Sequence, residues 1–205
     1  KNFGQLNKNT KINTPITFTE YKPNKVRSKE ANLQAHAVIG GIAPSYKDES
    51  RRGMTLLMNV LGGPALNSRL NLSVREKYGY SYNIEANYSP FAETGYWSVY
   101  FATDQKYLEK TLKLVYKEIK EIREKMLSPN QLKNAKEQLK GHLALSMDSN
   151  SGVMLGLGKS LLLFNQIDEI HEIYEGIDKL TVKELQEIAQ THFDDHLISE
   201  LIFDL

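Results

Sequence analysis

LGGPALNSRLNLSVREKYGYSY, residues 61–82, is the stretch on which the reading of the fold turns. A helical pattern ends in Gly62-Gly63-Pro64, where glycine accepts the positive φ of a C-cap. Leu66, Leu70, Leu72 and Val74 mark a short second helix. It closes on Arg75-Glu76-Lys77-Tyr78-Gly79, and the chain then enters a strand that carries Tyr80 and Tyr82. Glycines, a cation and phenols crowd together in this stretch as they do nowhere else in the sequence.

Upstream of it, residues 49–61 carry Met54, Leu57, Met58 and Leu61 at the i, i+3, i+4, i+7 spacing of one buried helical stripe, with Asp48 or Ser50 as the cap. Pro44-Ser45-Tyr46 is a turn. Before it, residues 32–43 alternate as a strand, with Leu33, Ala35, Ala37 and Ile39 on one face and Gln34, His36 and Val38 on the other. ITFTEY, residues 16–21, predicts a shorter strand, while residues 1–15 read as a polar linker or tail and residues 16–205 as one domain. The chain begins at Lys1 and not at Met, which points to a processed product or an excised piece.

Downstream, residues 80–88 and 95–103 predict an antiparallel hairpin. In its second strand Trp97, Val99 and Phe101 alternate with Tyr96, Ser98 and Tyr100. The period then changes to 3.6. Leu108, Leu112, Val115, Ile119 and Ile122 stripe a long helix, and Ser128-Pro129-Asn130-Gln131 is a capping box with proline at the first helical position. Helices follow over residues 129–148, 150–164 and 168–176, and another after the Thr181–Glu184 capping box; residues 196–203 form a last strand. Gly152, Gly156 and Gly158 read as close packing against a neighbouring helix and not as a phosphate loop, because no strand precedes them. The order is strand, strand, helix, helix, strand, strand, five helices, strand. That is not βαβ alternation, and it predicts an α+β fold: a mostly antiparallel sheet with helices packed on one face.

Composition narrows the function classes. The 205 residues are 40% apolar and 25% charged, with 26 basic against 25 acidic side chains. That is the balance of a soluble globular protein, and it gives no electrostatic case for nucleic acid or an anionic membrane. The absence of cysteine excludes thiol nucleophiles and cysteine metal sites. No apolar run approaches the ~20 residues of a membrane-spanning helix.

Three groups are candidates for chemistry. His192 and His196, four apart around Asp195, resemble an H-x-x-E-H zinc motif. The pair straddles a helix end, aspartate is shorter than glutamate, and no helix follows to supply a third ligand, so a solvated helix terminus is the reading. His36, His142 and His171 have no partner pattern. Arg75 and Tyr82 remain: a guanidinium and a phenol are both hydrogen-bond donors, and two donors aimed at one developing oxyanion form a known catalytic device. From spacing alone, a cation near a helix C-terminus and a strand aromatic explain them equally well.

The block LNVLGGPALNSRLNLSVREKYGYSY resembles the M16 (pitrilysin-like) zinc metallopeptidases, in their second, non-zinc-binding domain. It matches that family's glycine turn leading to "SRL" and then "REK-x-G-x-x-Y". QAHAVIGGIAPSYKDESRRGMTLL and LSPNQLKNAKEQLKGHLALSMDS resemble the family before and after it, so the likeness covers residues 32–203. The resemblance implies a LuxS/MPP-like metallohydrolase fold in which two homologous domains close around a chamber that admits unfolded peptides. It implies that Arg75 and Tyr82 contact substrate near the scissile carbonyl, and that Gly62 and Gly63 belong to a substrate-binding turn, with Pro64 where the family has a third glycine. It also implies zinc on an N-terminal partner domain or subunit, in cis or in trans. The zinc motif's own place reads Asp48-Glu49-Ser50-Arg51-Arg52-Gly53-Met54 here, so this chain carries no metal in that reading and is not active alone. Two roles stay open: the substrate-binding half of an active endopeptidase, and a non-catalytic structural or peptide-binding subunit. An isolated domain with its partner-facing apolar surface exposed is expected to self-associate. Bacterial periplasm and cytoplasm both remain open as locations.

Overall fold

The computed structural model describes residues 18–205. Its strands are β1 (Lys25–Lys29), β2 (Ala35–Ala43), β3 (Asn83–Pro90), β4 (Gly95–Thr103) and β5 (Ser199–Asp204). Its α-helices are α1 (Arg51–Gly62), α2 (Leu108–Glu124), α3 (Pro129–Ser146), α4 (Asn150–Phe164), α5 (Ile170–Asp178) and α6 (Val182–His192). A π-helical segment, Asn71–Glu76, stands between α1 and β3. The strands form one sheet in the order β1-β5-β2-β4-β3, antiparallel throughout except for β1 beside β5. The element order and the α+β class are those expected from the sequence.

Side-chain alternation decides which face of the sheet is covered. Ala35, Ala37 and Ile39 of β2 and Trp97, Val99 and Phe101 of β4 are buried under α1, α2 and α6. The α1 stripe of Met54, Leu57, Met58 and Leu61 is buried as its spacing requires, and so is the α2 stripe from Leu108 to Ile122. The Trp97 indole N–H donates to the His192 carbonyl at 3.0 Å, and its ring meets Phe193 edge-on at 5.0 Å. These contacts fix the end of α6 to the middle of the sheet. Across the sheet, Val38, Tyr96 and Leu201 remain partly exposed, so the second face is open.

Caps set the helix boundaries. The Ser128 side chain accepts from the Gln131 N–H while the Gln131 side chain accepts from the Ser128 N–H, and Thr181 with Glu184 makes the same reciprocal pair. At α1 neither expected residue caps the helix with its side chain: Ser50 is the N-cap residue but makes no side-chain cap bond, and the Asp48 carboxylate instead accepts from the N–H and the hydroxyl of Ser50. Those bonds hold the Asp48 carboxyl below the usual carboxylate range.

Four expectations are corrected. The first strand is Lys25–Lys29 and not ITFTEY; Phe18–Tyr21 has no regular structure, and residues 16 and 17, like the linker assigned to residues 1–15, lie outside the described residues. Only Val26 is apolar in this strand, so its sequence carries no alternation. Its place comes from distant partners: Arg27 binds the Asp204 carboxylate and Lys25 meets Glu200 at 2.7 Å. Tyr80 and Tyr82 precede the strand that was expected to hold them, since β3 begins at Asn83. Gly63 ends α1 with φ of −63°, so positive φ is not why glycines stand at residues 62 and 63. A Cβ on Gly62 would lie 2.8 Å from both the nitrogen and the Cβ of Ala86, and close approach to β3 is the reason. Finally, Gly156 and Gly158 pack against no helix among the described residues, where a Cβ at either meets nothing within 4 Å, whereas one on Gly152 would lie 3.2 Å from the Ser146 carbonyl at the end of α3. No helix among the described residues is long and apolar enough to cross a membrane.

Candidate functional site

Gly62, Gly63, Arg75 and Tyr82, separated by up to twenty positions in sequence, line a single cleft of about 380 Å³. Pro64, Asn71 and the first five residues of β3 complete its wall. The sheet order makes β3 an edge strand, so this wall ends at the border of the sheet.

Each element of the cleft has a local cause. Leu70 and Val74 are fully buried, whereas Leu66 and Leu72 are exposed, so only half of the expected apolar set anchors this segment. The turn is wide, with Lys77 N–H donating to the Leu72 carbonyl at 3.1 Å, five residues back. Asn71 is buried and donates to the Ser68 hydroxyl at 2.8 Å, tying the loop after Pro64 to the start of the wide turn. Gly79 then reverses the chain at φ of +62°, a conformation open to glycine at little cost.

Tyr82 is held by its neighbours. The Tyr80 ring is stacked between Tyr78 at 5.1 Å and Tyr107 at 4.7 Å. The Thr103 hydroxyl donates to the Tyr80 carbonyl, and the buried Ser81 hydroxyl donates to the Ala102 carbonyl at 2.7 Å. With residues 80 and 81 pinned to β4, the Tyr82 side chain stands out 84% exposed. The Arg75 guanidinium lies over its ring, Cζ to centroid 4.5 Å, and Nε is 3.7 Å from a Glu76 carboxylate oxygen. The arrangement offers a cation and a phenol side by side at the mouth of a polar cleft. Asn71 and Ser81, which shape it, carry no sequence signal. Each reads as an ordinary loop or strand residue until its buried hydrogen bonds are seen.

The other candidates are not brought together as a site. His192 Nδ1 is 3.1 Å from the Ile42 carbonyl, and burial pushes its pKa down. His196 lies in the short 3₁₀ turn Asp195–Leu197. His36 Nδ1 pairs with the Tyr100 hydroxyl at 3.0 Å, and His171 sits 3.2 Å from Glu169 on the surface. His142 is on α3, with a buried Nδ1 that finds no partner. At the place of the zinc motif stand two cations. Arg51 donates to the Tyr46 carbonyl at 2.7 Å, and Arg52 faces Asp168 at 3.8 Å. Guanidinium groups do not ligate zinc, and among the described residues no three His, Asp or Glu side chains are grouped to hold a metal.

A family model described as the Peptidase M16 inactive domain matches residues 1–139 of the 205. The chain belongs to the M16 peptidase family. Among M16 relatives, it is 27% identical over 189 residues to uncharacterized zinc protease YmxG of Bacillus subtilis, which covers 92% of this chain and 46% of that protein. It is similar in fold to the M16 inactive domain from Pseudomonas fluorescens, with a TM-score of 0.81 at 20% identity over 94% of this chain and 46% of that one. It is likewise similar to a protease from Helicobacter pylori, with a TM-score of 0.83 at 16% identity over 98% of this chain and 49% of that one. The chain thus spans less than half the length of each of these proteins.

Proposed function

We propose that this M16 domain is the substrate-binding, non-zinc half of a zinc endopeptidase, and that it supplies Arg75 and Tyr82 to the scissile carbonyl of a bound peptide. The observation that carries the reading is the cleft: the guanidinium and the phenol stack beside each other at its mouth, and the Gly62-Gly63 turn forms its wall. Two donors in one place suit a single oxygen on which negative charge develops, and one such donor typically contributes ~3 kcal/mol to the barrier. Gly62 and Gly63 are themselves buried, so they let the cleft wall lie close against β3 and Asn59, and a bound peptide meets the cleft beside them.

The names of the relatives support the zinc half of the reading, since the B. subtilis protein is called a zinc protease. Zinc, bound on an N-terminal partner domain or subunit, supplies an activated water. The residues of this chain bind the peptide, orient its carbonyl and hold the oxyanion with N–H and O–H donors. The open face of the sheet, with Val38, Tyr96 and Leu201 partly exposed, suits the wall of a chamber closed by that partner.

The test uses the assembled protein, with the zinc-bearing half joined to this chain or bound to it. Arg75→Ala and Tyr82→Phe are each expected to lower kcat for cleavage of an unstructured peptide by about 100-fold, the equivalent of ~3 kcal/mol. The melting temperature is expected to stay within error of the parent for Tyr82→Phe and to fall by no more than about 2–4 °C for Arg75→Ala, which loses the stack. Unchanged cleavage in both variants overturns the reading. A normal Kd for peptide with no cleavage even in the parent protein assigns the domain to a peptide-binding subunit instead.

A further inference from the structure

Helix α4 has a composition that its surroundings do not explain. Its fifteen residues, NSGVMLGLGKSLLLF, include one charged side chain, Lys159, and apolar residues on every side. A helix apolar all round is normally buried. Here no residue of α4 is buried, and Met154, Leu155 and Leu162 are 65%, 68% and 87% exposed, with Leu157 and Leu161 also exposed. The last turn of α3 continues the surface with the exposed Leu145 and with Met147 just beyond it. Fully burying one leucine is worth about 1.5–3 kcal/mol, so leaving five large apolar side chains of one helix in water forgoes several kcal/mol. Gly156 and Gly158 make the same point from the backbone: among the described residues nothing lies within 4 Å of a Cβ built at either.

We propose that α4 and the end of α3 are the docking surface for the other half of an M16 protein about twice this length. This rests on the two-half reading given above. The argument for that occupant is length and position. The B. subtilis relative and the H. pylori protease are each about twice as long as the segment matched here, so each carries a second half of about equal size. With one cation, Lys159, and one carboxylate, the exposed Asp148 between α3 and α4, the surface offers little to steer a transient charged partner. Extended apolar faces are typical of permanent interfaces.

The position of α4 allows one body to reach both it and the cleft. Phe164 packs edge-on against Tyr46 at 5.5 Å and under the Arg51 guanidinium at 4.4 Å, and Gly156 and Ser160 border a hollow shared with Pro90. Pro90 is the last residue of β3, whose first residue, Asn83, follows Tyr82. An eight-residue strand spans roughly 26 Å, and a domain of about 200 residues is on the order of 40 Å across. The other half can therefore cover α4 at one end of β3 and face Arg75 and Tyr82 at the other.

Because this sequence contains no cysteine, Leu162→Cys and Leu155→Cys each introduce a single thiol into it. Maleimide labelling rates are compared between this chain alone and the assembled protein with any other cysteines replaced. The expected result is labelling at least tenfold slower at both sites in the assembled protein, together with photo-crosslinks from position 162 to peptides of the other half. Equally fast labelling in both states overturns the proposal. So does slow labelling in this chain alone accompanied by concentration-dependent sedimentation, which assigns the surface to a second copy. Peptide cleavage by the Arg75→Ala variant of the same assembled protein separates the two ideas. A covered α4 with Arg75→Ala fully active leaves the docking surface standing and the site reading overturned, and the converse pair of results does the opposite.

Discussion

The Arg75 guanidinium lies over the ring of Tyr82, with Cζ 4.5 Å from the ring centroid. Contact with a ring face uses neither the phenol hydroxyl nor the outer N–H groups of the guanidinium. The stack therefore sets two donors side by side while leaving both free for a third group. A cation over an exposed ring contributes about 0.5–1 kcal/mol, enough to bias the pair toward one arrangement but not to lock it.

That relationship separates two substitutions at residue 82. Tyr82→Phe keeps the ring under Arg75 and removes only the hydroxyl, whereas Tyr82→Ala removes both. In the assembled protein Tyr82→Phe is expected to lower kcat by about 100-fold and Tyr82→Ala by roughly a further 2–5-fold, from the lost stack. Because the side chain is so exposed, Tyr82→Phe is expected to leave the unfolding free energy within about 0.5 kcal/mol, whereas Tyr82→Ala is expected to lower it by about 0.5–1 kcal/mol through the lost stack. Steady-state peptide cleavage and urea unfolding are the measurements.

Glycine substitutions distinguish close approach from open space. Gly62→Ala drives a methyl into the backbone of β3 at Ala86 and is expected to destabilise the domain by about 1–3 kcal/mol. Gly158→Ala, in the middle of α4 with nothing nearby, is expected to stabilise this chain by up to about 1 kcal/mol through helix propensity. Chemical denaturation of both variants, followed by far-UV circular dichroism, gives the two signs directly.

His192 predicts a pH dependence near neutrality. Burial lowers its pKa in the folded state below the ordinary value of 6.5, against the opposing pull of the Ile42 carbonyl and the Asp48 carboxylate. As pH falls through 6.5 the unfolded chain takes up the proton first, so stability drops, and it goes on dropping until the folded-state value is reached. Melting temperatures from pH 7.5 to 5 are expected to fall more steeply for the parent than for His192→Gln. Parallel curves remove the assignment.

Trp97 is the single tryptophan of the sequence, fully buried between the sheet and α6. Its emission is expected to be blue-shifted in the native state and to shift red in one cooperative step on unfolding. Trp97→Ala is expected to cost about 3–5 kcal/mol, because it removes the ring from under Phe193 and leaves the His192 carbonyl without its donor.

The sequence by itself determined the elements whose period or caps are local. The α1 and α2 stripes, the β4 alternation and the Ser128 and Thr181 capping boxes all stand where spacing placed them, because a helix face or a pleat buries residues at a fixed interval. Sequence also named Arg75, Tyr82, Gly62 and Gly63 as candidates, though only through the family resemblance, since spacing had left the first two as a helix-end cation and a strand aromatic. Tertiary structure decided the rest. β1 was illegible because KVRSK has one apolar residue and is held by Asp204 and Glu200, about 175 residues away. Tyr82 left the expected strand because Ser81 and Thr103 bind carbonyls across the chain, a pairing no local pattern encodes. Gly62 proved to be a matter of contact with Ala86 and not of backbone handedness. The apolar run of α4 announced burial in the sequence, and only the fold revealed that the described residues do not provide it. Periodicity reports that a side chain must leave water; which surface receives it depends on the packing of segments far apart in the chain.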